Sequence, residues 1–254
     1  QGIRVHADVV KLGFLDQDIY VGSSLVNMYA KCGSLEEAQE VFDRLPIQNV
    51  VAWTSLIEGY SHHGYDEEAL KCFEYMQCKG IFPDAFAFIC ILKACGNIRD
   101  AEKGQEIHSQ IVKGGGFQED TMLGTALVDM YIKCGMIMKA QVIFDELRIR
   151  DVVSWSVLIT WYAKHGDGQK ALDLFEQMQS EGVSPDLFTF LSILKACGSI
   201  RSLDKGQKVH GEIIKEGLLF LDKGRLIGTA LVDMYGKCGA LAKAQEVFDN
   251  LQDR

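Results

Sequence analysis

The chain has 254 residues, of which 48% are apolar and 24% charged, and it carries a net charge of −9. The apolar share excludes wholesale disorder. The negative balance argues against avid, sequence-indifferent binding of nucleic acid, while remaining compatible with one neutral or basic groove. No apolar run approaches the length of a membrane-spanning helix, so no membrane association is expected. The chain opens on Gln1 and has no leader-like segment, so it reads as an internal piece of a longer protein.

In chain order, Gly2 to Asp18 read as the second helix of a truncated unit. Gly2, Val5 and His6 match Gly104, Ile107 and His108, and then Gly206, Val209 and His210. A 31-residue unit follows at 19–49, with the core line Leu25, Val26, Met28 and Tyr29. The 35-residue unit at 50–84 carries Trp53, Leu56, Tyr60, Ala69, Phe73 and Pro83 in step with a copy 102 residues later. Units of 36 and 31 residues occupy 85–120 and 121–151.

At Val152 the series restarts with VVSWSVLITWYAKHGDGQKALDLFEQMQSEGVSPD. Trp155, Leu158, Ile159 and Tyr162 form the i, i+3, i+4, i+7 stripe of an amphipathic helix. Gly166 supplies a turn and Asp167 a cap. Ala171, Leu172, Phe175 and Met178 make a second stripe, stopped by Gly182 and Pro185. The unit at 187–224 carries a two-residue excess in LLFLDKGR, read as a loop insertion, and the last unit, 225–254, stops one residue short. Such hairpins cannot bury their own apolar faces and are stable only when stacked on copies. The period therefore implies an all-α fold, a single solenoid of about seven helical hairpins.

Signs of chemistry are weak. Cys32, Cys134 and Cys238 recur in Lys-Cys-Gly, and Cys95 and Cys197 in Lys-Ala-Cys-Gly, at the ends of first helices. With no C-x-x-C pair anywhere they read as packing residues in a reducing compartment. His210-Gly211-Glu212 matches half of a zinc deaminase signature, but the Glu is not repeated in the other copies and no P-C-x-x-C half follows. Gly114 to Gly116 lack the Gly-Lys-Ser/Thr of a phosphate loop. His62 and His63 point to different faces of a helix end. No nucleophile, base and oxyanion donor set emerges, so no catalysis, metal or cofactor is expected.

The spacing of Trp155, Leu158, Tyr162, Ala171, Phe175 and Pro185 is shared with tetratricopeptide repeats, which hold peptides; a protein-interaction scaffold is thus the alternative reading. Ile57 and Ile159 stand where those arrays place a small residue, and the alternating unit lengths are foreign to them. The phrases LVNMYAKCGSLEEAQEVFDRLP, VVSWSVLITWYAKHGDGQKALDLFEQMQSEGVSPD and ILKACGSIRSLDKGQKVHGEIIKEG closely resemble the plant pentatricopeptide repeat family, in its subclass of alternating P, L and S motifs. The resemblance divides the chain into a partial L motif at 1–18, S at 19–49, P at 50–84, L at 85–120, S at 121–151, P at 152–186, L at 187–224 and S at 225–254. It implies a right-handed, monomeric α-solenoid that binds single-stranded RNA with one motif per base. It further implies cytidine-to-uridine editing or RNA processing in chloroplasts or mitochondria, with partner editing factors on the L motifs.

In the family, the fifth and last residues of each motif choose the base. These are Ser23/Asn49, Thr54/Asp84, Thr125/Asp151 and Ser156/Asp186, with Thr229 lacking its partner. Ile89, paired with Asp120, and Leu191 occupy the fifth place of the L motifs and have no group for a base edge, so these motifs should read weakly. Asp, acceptor-only when ionised, suits guanine; Asn suits adenine. The implied target is 5′-A-G-N-G-G-N-(A or G)-3′. The competing reading of the same residues is helix capping. The resemblance assigns Tyr20, Val51, Phe86, Met122, Val153, Phe188 and Leu226 as wedges between bases, against simple packing between units. It assigns Lys31, His62, Lys133, Lys164 and Lys237 to phosphates, against solvated charges at helix C-termini.

Overall fold

The computed structural model describes residues 19–220 and 224–252. Among these, the chain forms fourteen α-helices, one 3₁₀ turn and no strand. In order they are α1 Ile19–Lys31, α2 Leu35–Arg44, α3 Val50–His62, α4 Asp66–Cys78, α5 Ala85–Ile98, α6 Ala101–Lys113, α7 Thr121–Lys133, α8 Ile137–Glu146, α9 Val152–Lys164, α10 Gly168–Ser180, α11 Leu187–Ser199, α12 Leu203–Lys215, α13 Gly224–Lys237 and α14 Leu241–Gln252. The reading of Gly2 to Asp18 lies outside the described residues.

Two compact units divide the chain, one ending at Arg148 and one beginning at Ile149. In the first, α1/α2, α3/α4, α5/α6 and α7/α8 are hairpins; the second contains α9/α10, α11/α12 and α13/α14. Inside each unit every first helix packs on the first helix of the next hairpin, and second helices pack behind them. This is the stacking that small amphipathic hairpins require.

The predicted stripes are the cores of these hairpins. Trp155, Leu158 and Ile159 are fully buried, as are Ala171 and Met178, with Leu172, Phe175 and Tyr162 nearly so. Gly166 takes φ +90°, which lets α9 turn back into α10 at little steric cost, and Asp167 Oδ1 accepts from the backbone N–H of Lys170 at 3.0 Å. The L-type hairpins make the same turn with Arg99 and Arg201, at φ +59° and +54°. The repeated Gly104 and Gly206 also find their reason. A Cβ at either would lie 2.5 or 2.4 Å from the sulfur of Met130 or Met234 on the next first helix.

The repeated histidines are scaffold groups. Nδ1 of His108 meets the Tyr131 hydroxyl at 2.8 Å, and Nδ1 of His210 meets that of Tyr235 at the same distance. The LLFLDKGR excess begins with the 3₁₀ turn Leu218–Phe220, and α13 then starts at Gly224, one residue earlier than the expected boundary.

The cysteines correct one expectation. Cys95 and Cys197 are buried inside their helices, where burial pushes the thiols up to about 12. Cys32, by contrast, is exposed, and Cys134 and Cys238 are half-buried. They sit one residue beyond the helix, where the chain already turns away from the core. All eight are free thiols.

Trp155 is the largest fully buried side chain. Trp155→Ala should cost about 3–5 kcal/mol, the range for truncating a buried large aromatic, measured by denaturant unfolding of the chain. A loss below about 1 kcal/mol would mean that its hairpin packs less tightly than its burial indicates.

Candidate nucleic-acid interface

The motif ends are where local folding and surface chemistry meet. A first helix leaves its leading N–H groups without intrahelical partners. Asn49, Asp84, Asp120, Asp151 and Asp186 each precede a first helix and satisfy one of those donors. Their Oδ1 atoms accept from the backbone N–H of Ala52, Ala87, Leu123, Ser154 and Thr189 at 2.8–3.0 Å. The capping reading of the last residues is therefore correct in geometry.

It is not the whole geometry. The fifth residue of the preceding motif reaches the same oxygen. The Ser23 hydroxyl lies 3.2 Å from Asn49 Oδ1, that of Thr54 lies 3.4 Å from Asp84 Oδ1, and that of Ser156 lies 3.2 Å from Asp186 Oδ1. Three of the pairs that the family resemblance implies thus touch, although 26 to 30 residues separate their members. In these bonds Oδ1 faces the protein, and the second terminal atom, Oδ2 of Asp or Nδ2 of Asn, takes no part.

The two members of each pair differ in depth. Ser23, Thr54 and Ser156 are buried, at 3%, 6% and 8% exposure, whereas Asp84 is exposed and Asn49 and Asp186 are half-buried. The hydroxyl reaches the carboxylate or amide from the buried side, and the last residue is the more accessible member of the pair. Thr125 and Asp151 fall in different units. Thr229 is exposed and donates to the Arg225 carbonyl at 2.8 Å. In the L motifs Ile89 and Leu191 are half-buried and have no polar side-chain atom to bring to such a pair.

The second residues behave uniformly. Tyr20, Val51, Phe86, Met122, Val153, Phe188 and Leu226 are all exposed, from 42% for Phe86 to 76% for Tyr20. Packing between hairpins covers part of each side chain and leaves the rest open to solvent.

Lys31, His62, Lys133, Lys164 and Lys237 are exposed at the ends of first helices. Two of the lysines have company: Lys133 Nζ is 2.9 Å from Asp129, and Lys237 Nζ is 2.6 Å from Asp233, each one turn back. Lys133 also donates to Asn97 Oδ1 at 3.2 Å. These i, i+4 acids were visible in the sequence and lower the positive charge those two positions present. Among the described residues no group of three His, Cys, Asp or Glu side chains is placed to hold a metal, and no helix is long and apolar enough to cross a membrane.

Stacked hairpins that each expose an apolar side chain at the second position, three of them beside a hydroxyl and an Asp or Asn in contact, define a helical-repeat protein. The PPR repeat family model matches residues 48–97 and 150–199, and the PPR repeat model matches 23–50, 125–152 and 229–254. The chain belongs to the pentatricopeptide repeat family. It is 37% identical over 253 residues to the Arabidopsis thaliana pentatricopeptide repeat-containing protein At1g06140, mitochondrial, covering 100% of this chain and 45% of that protein. Against the chloroplastic At4g18520 of the same plant it is again 37% identical over 253 residues, covering 100% of this chain and 40% of that one. The chain therefore spans less than half the length of these curated relatives. In fold it matches the crystal structure of the pentatricopeptide repeat protein PPR10 in complex with an 18-nt psaJ RNA element, with a TM-score of 0.80 and 20% identity over 99% of this chain and 37% of that one. The fold class is thus the α-solenoid of that family.

The cap role has its own test. Asp84→Ala should destabilise the chain by about 0.5–2 kcal/mol, whereas Asp84→Asn, also a good cap, should be nearly neutral. Denaturant midpoints of the two variants give the comparison; equal losses would show that the charge, and not the cap, is what α5 needs.

Proposed function

We propose that the chain is a sequence-selective reader of single-stranded RNA, one base per motif, and that it performs no chemistry of its own. The observation that carries this is the repeated pair of a buried fifth-position hydroxyl and a capping Asp or Asn, flanked by an exposed apolar side chain. The cap dictates what the surface offers. Because Oδ1 is turned inward, Asp presents Oδ2, an acceptor, and Asn presents Nδ2, a donor. A carboxylate oxygen accepts from the N–H groups of guanine's pairing edge; an amide N–H donates to N1 of adenine. The small hydroxyl at the fifth place is what the family resemblance pairs with purines. An exposed apolar residue between successive pairs gives each base a face to rest on. PPR10, whose fold this chain shares, was crystallised on an RNA element, which supports the same ligand class here.

On this reading Ser23/Asn49 selects A, and Thr54/Asp84, Thr125/Asp151 and Ser156/Asp186 select G. Ile89 with Asp120, and Leu191, are indifferent, and Thr229 takes a purine, giving 5′-A-G-N-G-G-N-(A or G)-3′. The resemblance to the subclass with alternating P, L and S motifs implies an editing or processing factor of a plant organelle, and relatives named mitochondrial and chloroplastic support that address. The L motifs, without a base-selecting pair, are the part left for partner editing factors. The rival class is a peptide-binding scaffold of the tetratricopeptide kind.

Asp186→Asn tests the base reading directly. The cap survives, and the outward acceptor becomes a donor. Competition binding with oligonucleotides that differ at one nucleotide should show the preference there moving from G toward A by about 1–3 kcal/mol. Retained G preference, or an equal loss for all four bases, would make Asp186 a helix cap and nothing more.

Salt dependence tests the phosphate contacts. Five candidate cations, two of them beside acids, should give a slope of log K against log salt of about −2 to −3.5, at about −0.7 per phosphate neutralised. Lys164→Ala should flatten that slope by about 0.7 and weaken all sequences alike, and Lys133→Ala, with Asp129 already beside it, should flatten it less. A slope steeper than about −5 would reveal a basic surface outside these positions.

A further inference from the structure

The two P-to-L junctions share a register but differ in one buried hydroxyl. At the first, Asp84 Oδ1 accepts from the Ala87 N–H at 2.8 Å and from the Thr54 hydroxyl at 3.4 Å. At the second, the residue equivalent to Ala87 is Thr189, and it is fully buried. Its N–H donates to Asp186 Oδ1 at 2.8 Å, and its hydroxyl donates to the same oxygen at 2.7 Å. Ser156 Oγ lies 3.2 Å from Asp186 Oδ1, 2.6 Å from Thr189 Oγ1 and 2.6 Å from the Val152 carbonyl.

Two hydroxyl hydrogens serve this cluster, one on Ser156 and one on Thr189. A carbonyl oxygen 2.6 Å from Ser156 Oγ must be met by a hydrogen, since two bare acceptors that close repel. The Ser156 hydrogen therefore goes to Val152, the usual back-bond of a helical serine. The Thr189 hydrogen is then shared between Ser156 Oγ at 2.6 Å and Asp186 Oδ1 at 2.7 Å, and it is the one hydroxyl hydrogen left that the carboxylate can receive. Burying a hydroxyl without a partner is unfavourable, and Asp186 and Ser156 are the partners that permit Thr189 its place.

We propose that Thr189, the third residue of the L motif, is a positioning residue for base choice by the motif before it. It holds Asp186 Oδ1 inward so that Oδ2 faces the base, taking over the task that Thr54 performs for Asp84. This rests on the reading of Ser156/Asp186 as a base-selecting pair. It extends the selecting set beyond the fifth and last residues to a buried side chain of the neighbouring motif, and it gives an L motif with no base-selecting pair of its own a part in recognition.

The test compares Thr189→Val, which keeps volume and removes the hydroxyl, with Thr189→Ser and with Ser156→Ala. Each is assayed for G-over-A preference at the nucleotide facing this motif, using oligonucleotides that vary only there, with thermal melting as a check on folding. Thr189→Val should lower that preference about tenfold, the size of a lost hydrogen bond to a charged group, without changing preference at the nucleotide read by Thr54/Asp84. Thr189→Ser should restore it, and Ser156→Ala should leave most of it. Thr54→Ala at the other junction, where no second hydroxyl exists, should lose most of its preference. If the parent protein prefers G at this nucleotide and Thr189→Val keeps that preference, this inference is overturned and the pair reading stands. If the parent shows no preference there, both fall. An equal loss of affinity for every base, with a lowered melting temperature, would make Thr189 a packing residue only.

Discussion

The interaction on which this structure most depends is a single oxygen facing inward. Each hairpin is too small to be stable alone, so the place where one ends and the next begins decides whether the stack exists. At five such places an Asp or Asn oxygen closes the first turn of the coming helix, and at three of them it also receives the hydroxyl of the hairpin before. One atom thereby joins a local requirement, the cap, to a non-local one, the register of successive hairpins.

Much of the fold was legible in the chain because its physics is local and repeated. The stripe of Trp155, Leu158, Ile159 and Tyr162, the turn at Gly166 and the cap at Asp167 are each determined within a few residues, and the 102-residue copy confirms the register. The pairing of Ser156 with Asp186 was legible only through the family's register, since nothing local ties residues 30 apart. What escaped was depth. A hydroxyl at the fifth place gives no sign in the sequence that it lies beneath the carboxylate and not beside it. Cys32 was misjudged for a related reason: one residue past a helix end, the 100° step that places a side chain on the core face no longer holds. Thr189 escaped because it belongs by number to one motif and by contact to another.

Charge was read correctly in sum and imperfectly in detail. The net −9 is spread over helix starts, where carboxylates complement the local dipole, and over the turn preceding Lys133 and Lys237. Exposed pairs of that kind contribute little to stability, so their effect falls on the field a polyanion would meet and not on the fold.

The inward oxygen has an evolutionary corollary. Asp and Asn have nearly the same shape, cap helices comparably well, and are encoded by triplets that differ at one nucleotide. A single point mutation at a junction such as Asp84 or Asn49 therefore exchanges a carboxylate for an amide, or the reverse, while the cap beneath is kept. Most binding surfaces are constrained because changing a contact also changes the scaffold; here the two are carried by opposite ends of one side chain. Lineages can drift along the row one junction at a time, through folded intermediates at every step, which is the condition under which large families of near-identical architecture and divergent surface chemistry arise.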